Sequence, residues 1–250
     1  MPRVFAHRGM SSLAPENTLA AFRLCREHGV RWFECDVDVL ADGTVILTHD
    51  TTFDRCTNTT GGYYHLEKSD LEKIDAGSWF GDEFIGERIP TLDDLFALME
   101  ELDLSVNIEI KSRENTAHSL ITNLAQGIKQ SGLNKQKRII VSSFDCALVA
   151  EFKKICDVPV GCIFDINTLA DDWAATMKWV DATYVNPSNN GLKREHVDMF
   201  KKEGYGVNVW TVNELDRANQ LFNWGVDGIF TDVAQKFPSR YKFLLKTEQN

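Results

Sequence analysis

Short apolar, β-branched runs alternate with helix-length amphipathic segments along nearly the whole chain, the arrangement of parallel strands joined by crossover helices. Nine runs have strand character: Val4 to His7, Trp32 to Leu40, Val45 to His49, Val106 to Ile110, Ile139 to Phe144, Val158 to Phe164, Ala182 to Asn186, Gly206 to Val212 and Gly228 to Thr231. Only Ala41-Asp42-Gly43-Thr44 separates the second from the third, and a parallel crossover takes about a dozen residues or more. Asp-Gly is a hairpin signal, so the third run is expected to fold back antiparallel on the second, leaving eight parallel strands. Helices are expected at Leu19 to His28, Leu92 to Leu102, Ala117 to Gln130, Asp145 to Ile155, Thr168 to Met177, Arg194 to Glu203, Glu214 to Asn223, and after Val233. Eight of each predict an α/β fold of the (β/α)8 TIM-barrel type, which commonly needs about 250 residues. The stretch Asp50 to Pro90, rich in Thr, Gly and Asp with one short helical piece near Leu66 to Ile74, breaks the rhythm. It reads as a small insertion after the second-strand hairpin, capping one end of the barrel.

The chain is 250 residues long and 43% apolar, enough for a large core, so residues 1–250 are expected to form a single barrel domain. Its net charge is −10, and no stretch clusters Lys and Arg densely enough to track a polyanion, which argues against nucleic acid and anionic membranes as partners. No apolar leader opens the sequence, and nothing approaches the roughly 20 apolar residues of a membrane span. The six cysteines show no C-x-x-C spacing, so they read as reduced thiols of a cytoplasmic protein. In that setting the sequon Asn58-Thr59-Thr60 is idle.

Side chains alternate sides along a strand, which makes the placement of the acids informative. In Phe33-Glu34-Cys35-Asp36-Val37-Asp38-Val39 the three carboxylates share one face and the apolar residues the other. A barrel strand turns its apolar face to the helices, so the acids point into the barrel or its mouth, where they repel one another without a cation. Val106-Asn107-Ile108-Glu109-Ile110-Lys111 repeats the pattern, with Asn107, Glu109 and Lys111 inward. If these strands are neighbours, Glu34, Asp36 and Glu109 could converge on one hard divalent cation, and oxygen-only ligation suits Mg²⁺ or Ca²⁺. The alternative is a buried ion-pair network in which Lys111 and Arg8 neutralise the acids.

His7 ends the first strand, before Arg8-Gly9, and His49 ends the folded-back run, before Asp50. Imidazoles titrate near neutrality and could act as general base and general acid beside a metal. Together with Arg8 and Lys111 they form a set suited to phosphoryl chemistry, in which cations stabilise phosphate charge while imidazoles move protons. Trp210 shares its strand face with Asn208 and either lines the mouth or packs in the core. Trp79 and Phe80, in the insertion, could wall a substrate groove. Glu16 and Asn17 sit where a helix cap is expected.

The ordered motifs resemble the glycerophosphodiester phosphodiesterase family. His7-Arg8-Gly9 and Pro15-Glu16-Asn17-Thr18 match its opening, and Glu34-Cys35-Asp36, His49-Asp50 and Glu109-Ile110-Lys111 its central motifs. Trp210-Thr211-Val212-Asn213 and the segments Asp75 to Phe80 and Gly225 to Asp232 extend the likeness over nearly the whole chain. The resemblance implies hydrolysis of glycerophosphodiesters, such as glycerophosphocholine or glycerophosphoethanolamine, to glycerol 3-phosphate and an alcohol. It implies a divalent cation, Mg²⁺ or Ca²⁺, on Glu34, Asp36 and Glu109, with His7 and His49 as acid–base pair and Arg8 and Lys111 on the phosphate. Trp210 is expected at the substrate, His7 is taken as base and His49 as acid, and Asp38 matches no family ligand.

Three rivals remain at this level. A lysophospholipase D on the same barrel needs an exposed apolar groove, and the acidic balance and missing amphipathic anchor argue against it. A barrel that only binds a phosphorylated metabolite has little need for paired histidines. A Schiff-base enzyme needs Lys111 as a neutral amine, which Glu109 on the same face opposes.

Overall fold

A computed structural model describes residues 2–111 and 116–242. Eight parallel strands close into a barrel: β1 (Arg3–Ala6), β2 (Trp32–Val39), β4 (Ser105–Ile110), β5 (Ile139–Ser143), β6 (Val160–Phe164), β7 (Tyr184–Pro187), β8 (Gly206–Val209) and β9 (Gly228–Thr231). Closure comes from β1, which pairs parallel with both β2 and β9. Strand β3 (Val45–Leu47) returns antiparallel along the end of β2, with Val37 opposite Leu47 and Val39 opposite Val45, as the Asp-Gly turn requires.

The helices follow from their apolar stripes and caps. In α1 (Leu19–Glu27), Thr18 accepts from the Ala21 amide while Ala21, Phe22 and Cys25 are buried against the strands. In α2 (Leu92–Leu102), Thr91 and Asp94 cap each other reciprocally. The remaining helices are α3 (Ala117–Ser131), α4 (Cys146–Ile155), α5 (Trp173–Val180), α6 (Arg194–Lys202) and α7 (Leu215–Asn223). Helix α5 begins later than the expected Thr168, because Asp165 accepts from the Asn167 amide and closes a separate 3-10 turn over Ile166–Thr168. After Val233 the expected helix is replaced by two 3-10 turns, Ala234–Lys236 and Ser239–Tyr241, with Pro238 between them; the rest of that expectation lies outside the described residues.

Two apolar bodies result. The larger fills the shell between strands and helices, and a smaller cluster of Phe5, Ile140 and Phe230 plugs the lumen, flanked by Trp32, Tyr184 and Trp210. The barrel is therefore closed below its mouth. The insertion has its own apolar cluster of Leu40, Ile46, Phe53, Tyr63, Leu71, Ile74, Ala76 and Ile89. Asp38, fully buried, ties that cluster to β2 by accepting from the Tyr63 hydroxyl at 2.7 Å and the Tyr64 hydroxyl at 2.8 Å. Asp38 is thus a support for the insertion. The expected helical piece there is a 3-10 turn, Lys68–Lys73. No helix among the described residues is long and apolar enough to cross a membrane.

Candidate active site

The parallel register of β2 and β4 puts Asp36 opposite Glu109 and Glu34 opposite Asn107. One oxygen from each of Glu34, Asp36 and Glu109 lies within 4.8 Å of the other two. The convergence expected from parity therefore occurs, at the end of the barrel where the strands terminate. Glu34, Glu109, His7, Arg8, His49 and Lys111 face a cavity of about 230 Å³, and Phe144, Ile163, Trp210 and Phe230 line it as an apolar wall.

The three acids are treated differently by their neighbours. Asp36 is almost completely buried and lies 2.7 Å from Lys111 Nζ and 3.3 Å from Arg8 Nε. Burial would raise its pKa, but Lys111 and Arg8 outweigh that and hold it below the usual carboxylate range. Glu109 also meets Lys111, at 2.5 Å, yet burial and the charge on Asp36 leave its pKa raised. Glu34 is pushed up most plainly, by burial and then by Asp36. No Lys or Arg side chain among the described residues lies within ion-pair distance of Glu34, whose Oε2 accepts the Arg8 backbone N–H at 2.9 Å.

That asymmetry decides how far the ion-pair alternative goes. Lys111 and Arg8 satisfy Asp36, but Glu34 Oε1 is buried with no hydrogen-bond partner. A buried, unpaired carboxylate oxygen beside two other acids leaves the cluster short of positive charge. The donor set consists of oxygens alone, so it fits a hard divalent cation. Lys111, between two carboxylates, has its pKa raised against the effect of burial, which keeps it an ammonium and removes the Schiff-base chemistry.

Each histidine is backed by a carboxylate. His7 Nδ1 lies 2.7 Å from Asp232 Oδ1, and His49 Nδ1 lies 2.7 Å from Asp50 Oδ1. An Nδ1–H donated to a carboxylate leaves Nε2 as the working nitrogen, and His7 Nε2 stands 3.9 Å from Glu34 Oε2. At His7 burial lowers the pKa, but Asp232 and Glu34 reverse the balance and raise it. At His49 burial prevails, aided by Lys111 and Arg8, and the pKa falls. The two imidazoles are thus shifted in opposite directions, His7 by its carboxylate neighbours and His49 by burial.

Arg8 owes its position to a strained turn. Arg8 and Gly9 both have positive φ, 56° and 79°, and a Cβ on Gly9 would stand 2.8 Å from Ala21 Cβ, so the turn packs directly on α1. Trp210 lines the cavity, packs edge-on against Phe144 with centroids 5.4 Å apart, and donates its Nε1–H to the Asn186 carbonyl. Both of its sequence readings are realised, because it lines the mouth and flanks the apolar plug of the lumen. Trp79 and Phe80 do not line this cavity: they pack on each other, and Trp79 Nε1 donates to the Ala76 carbonyl.

Sequence reasoning missed the supporting residues. Asn17, read as a capping residue, is buried with φ 56°, donates to Asp36 Oδ2 at 2.9 Å and accepts from the Asp36 amide at 3.1 Å; the cap is Thr18. Glu16 accepts from Arg8 at 2.9 Å. Asp232 lies just past the end of β9, two residues after the lumen-facing Phe230, and nothing local marks it as the partner of a residue 225 positions away.

Known proteins resemble this chain in sequence and in fold. The profile of the glycerophosphoryl diester phosphodiesterase family matches residues 7–236. A glycerophosphodiester phosphodiesterase of Caldanaerobacter subterraneus is 36% identical over 230 residues, 92% of this chain and 93% of that protein. A phosphodiesterase of Oleispira antarctica, solved with the product sn-glycerol-3-phosphate, superposes with a TM-score of 0.87 at 29% identity, over 94% of this chain and 95% of the other. A glycerophosphodiester phosphodiesterase of Agrobacterium tumefaciens gives a TM-score of 0.79 at 26% identity, over 93% and 96% of the two chains. With its motifs brought together at one barrel mouth and the profile spanning nearly its full length, the chain belongs to the glycerophosphoryl diester phosphodiesterase family.

Proposed function

We propose that this glycerophosphodiester phosphodiesterase hydrolyses small diesters such as glycerophosphocholine or glycerophosphoethanolamine to glycerol 3-phosphate and the free alcohol, by acid–base catalysis at His7 and His49. The observation that carries the reading is the pairing of two imidazoles, each with a carboxylate on Nδ1, across one cavity from the Glu34–Asp36–Glu109 cluster. A barrel that only bound a phosphorylated metabolite would have no use for two oriented imidazoles.

Arg8 and Lys111 would meet the phosphate oxygens, because both cations line the cavity beside the acids. One imidazole takes the proton of the glycerol hydroxyl beside the phosphate, or of a water, while the other gives a proton to the departing alcohol oxygen. If the hydroxyl attacks, its oxygen bonds to phosphorus as the bond to the alcohol breaks, and a water then opens the cyclic phosphate; if water attacks, it displaces the alcohol directly, so either route consumes one water. Bound at Glu34, Asp36 and Glu109, a divalent cation, Mg²⁺ or Ca²⁺, supplies Lewis-acid stabilisation of the charge on the phosphate. The apolar wall of Phe144 and Trp210 would face the head group, and the small cavity suits a cytoplasmic, water-soluble diester.

The test is release of glycerol 3-phosphate from glycerophosphocholine before and after EDTA, with Mg²⁺ and Ca²⁺ restored separately. Loss on chelation and return with one ion support the reading. Release from lysophosphatidylcholine alone would replace it with the lysophospholipase D reading. Diesters with an activated phenolic leaving group assign the imidazoles: the variant lacking the acid recovers turnover on them, whereas the variant lacking the base does not.

A further inference from the structure

We propose that Arg55 is a positioning residue, whose guanidinium reaches from the insertion and fixes through two carboxylates both the phosphate-binding Arg8 and the acid–base residue His49. The inference rests on the function proposed above.

All three guanidinium nitrogens of Arg55 are committed. Nη1 donates to Glu16 Oε2 at 2.7 Å and Nη2 to Glu16 Oε1 at 2.8 Å, a bidentate fork, while Nε donates to Asp50 Oδ2 at 2.7 Å. Each carboxylate holds a site residue with an oxygen facing away from or shared with Arg55: Glu16 Oε1 accepts from Arg8 Nη1 at 2.9 Å, and Asp50 Oδ1 meets His49 Nδ1 at 2.7 Å. Arg55 itself does not line the reaction cavity. It is one step removed from both groups and, among the described residues, is the single cation bridging the two arms.

The geometry separates this contact from an ordinary surface ion pair, which contributes little. A bidentate fork restricts the carboxylate in two directions, and Glu16 is itself largely buried, with 14% of its side chain exposed. The Asp50 backbone carbonyl also lies 2.9 Å from the Tyr63 hydroxyl, sharing with Asp38 the one proton of that group. Without Arg55, Glu16 would keep Arg8 and Asp50 would keep His49, but both carboxylates would lose the fork that fixes them and be freer to turn toward solvent. Arg8, still tied to Asp36, and His49 would then rest on carboxylates that are no longer fixed, and a displacement of about 1 Å can cost about 10²-fold in rate.

The experiment uses the full chain and compares Arg55→Ala, Arg55→Lys, Glu16→Gln and Asp50→Asn by three readouts: turnover of glycerophosphocholine, inhibition by glycerol 3-phosphate, and melting temperature. Arg55→Ala is expected to lower turnover and weaken product inhibition, each by about 10-fold or more. The two arms should separate. Glu16→Gln should act mainly on product inhibition, through Arg8, and Asp50→Asn mainly on turnover, through His49. Arg55→Lys should recover little, since one ammonium cannot replace a fork, whereas guanidinium ion added to Arg55→Ala should restore activity. An Arg55→Ala enzyme within twofold of wild type on both readouts overturns the proposal. So does a loss of activity that tracks a lowered melting temperature, vanishes on cooling and ignores guanidinium, because Arg55 would then only hold the insertion together. Failure of the wild type to release glycerol 3-phosphate from any glycerophosphodiester would instead sink the function on which the proposal rests.

Discussion

Asn17→Ala should be among the most damaging single substitutions outside the reacting groups. The side chain makes two bonds to Asp36: its amide donates to the carboxylate at 2.9 Å, and its carbonyl accepts from the backbone at 3.1 Å. A bond to a charged group contributes about 1.5 to 3 kcal/mol and one between neutral groups about 0.5 to 1.5 kcal/mol. The backbone at φ 56° is in the left-handed region, tolerated by Asn and worth about 1 kcal/mol or more against Ala. Together these predict a loss of about 3 to 5 kcal/mol, or a fall in melting temperature of about 6 to 20 °C for a chain of this size. Asn17→Gly relieves the backbone while losing the same bonds, so it should recover only about 1 kcal/mol of the loss. Urea or thermal unfolding of the three proteins reads this directly. Turnover should drop in both variants even well below their melting points, because Asp36 loses the donor that orients it. An Asn17→Ala protein within 1 kcal/mol of wild type, or an Asn17→Gly protein equal to it, would show that Lys111 and Arg8 suffice to place Asp36 and would refute the reasoning.

His7→Ala and His49→Ala should each lower turnover by about 10² to 10⁴ fold with an unchanged melting temperature; near-normal rates in both would remove the acid–base pair. Asp232→Asn removes the charge behind His7 Nδ1 and should lower turnover by about 10² fold or more, with glycerol 3-phosphate binding little changed, as a comparison of kcat with product inhibition would reveal. Glu34→Ala, Asp36→Ala and Glu109→Ala should abolish the response to added cation while the protein still folds, checked by rate against cation concentration; unfolding of all three would favour the ion-pair network. Asp75 accepts backbone N–H bonds from Ser78, Gly86 and Gly77, which hold its pKa at about 2 against an ordinary 3.8. A depressed carboxylate stabilises the fold above its unfolded pKa, and the contribution disappears as pH falls from about 4 through about 2. Allowing for screening by solvent, Asp75→Asn should cost about 1 to 2 kcal/mol near neutrality and flatten that acid limb, which melting curves against pH would test.

The eight-stranded barrel and the inward acids were legible because both rest on short-range periodicity. Alternation along Glu34-Cys35-Asp36 fixes which side chains share a face, and the four-residue link after Leu40 forbids a parallel crossover. Neighbourhood of β2 and β4 then follows, and with it the opposition of Asp36 and Glu109. Elements whose limits depend on a local side-chain bond were misjudged. Asp165 captures the Asn167 amide and delays α5, and Thr18 takes the cap expected of Glu16 and Asn17.

The site divides along the same line. Residues that face the cavity sit at strand ends, where parity and position both mark them, whereas the residues that orient them come from other parts of the chain and carry no periodic signal. Asp232 reaches His7 only because β9 closes on β1, and Arg55 reaches Glu16 only because the insertion folds back over the mouth. A carboxylate one residue after His49 and another 225 residues from His7 end in the same bond at the same distance, 2.7 Å. Two unrelated routes thus give both imidazoles the same backing, an Nδ1 held by a half-exposed carboxylate. Under the proposed acid–base mechanism the contact fixes the proton on each Nδ1 and so leaves Nε2 for the proton transfer.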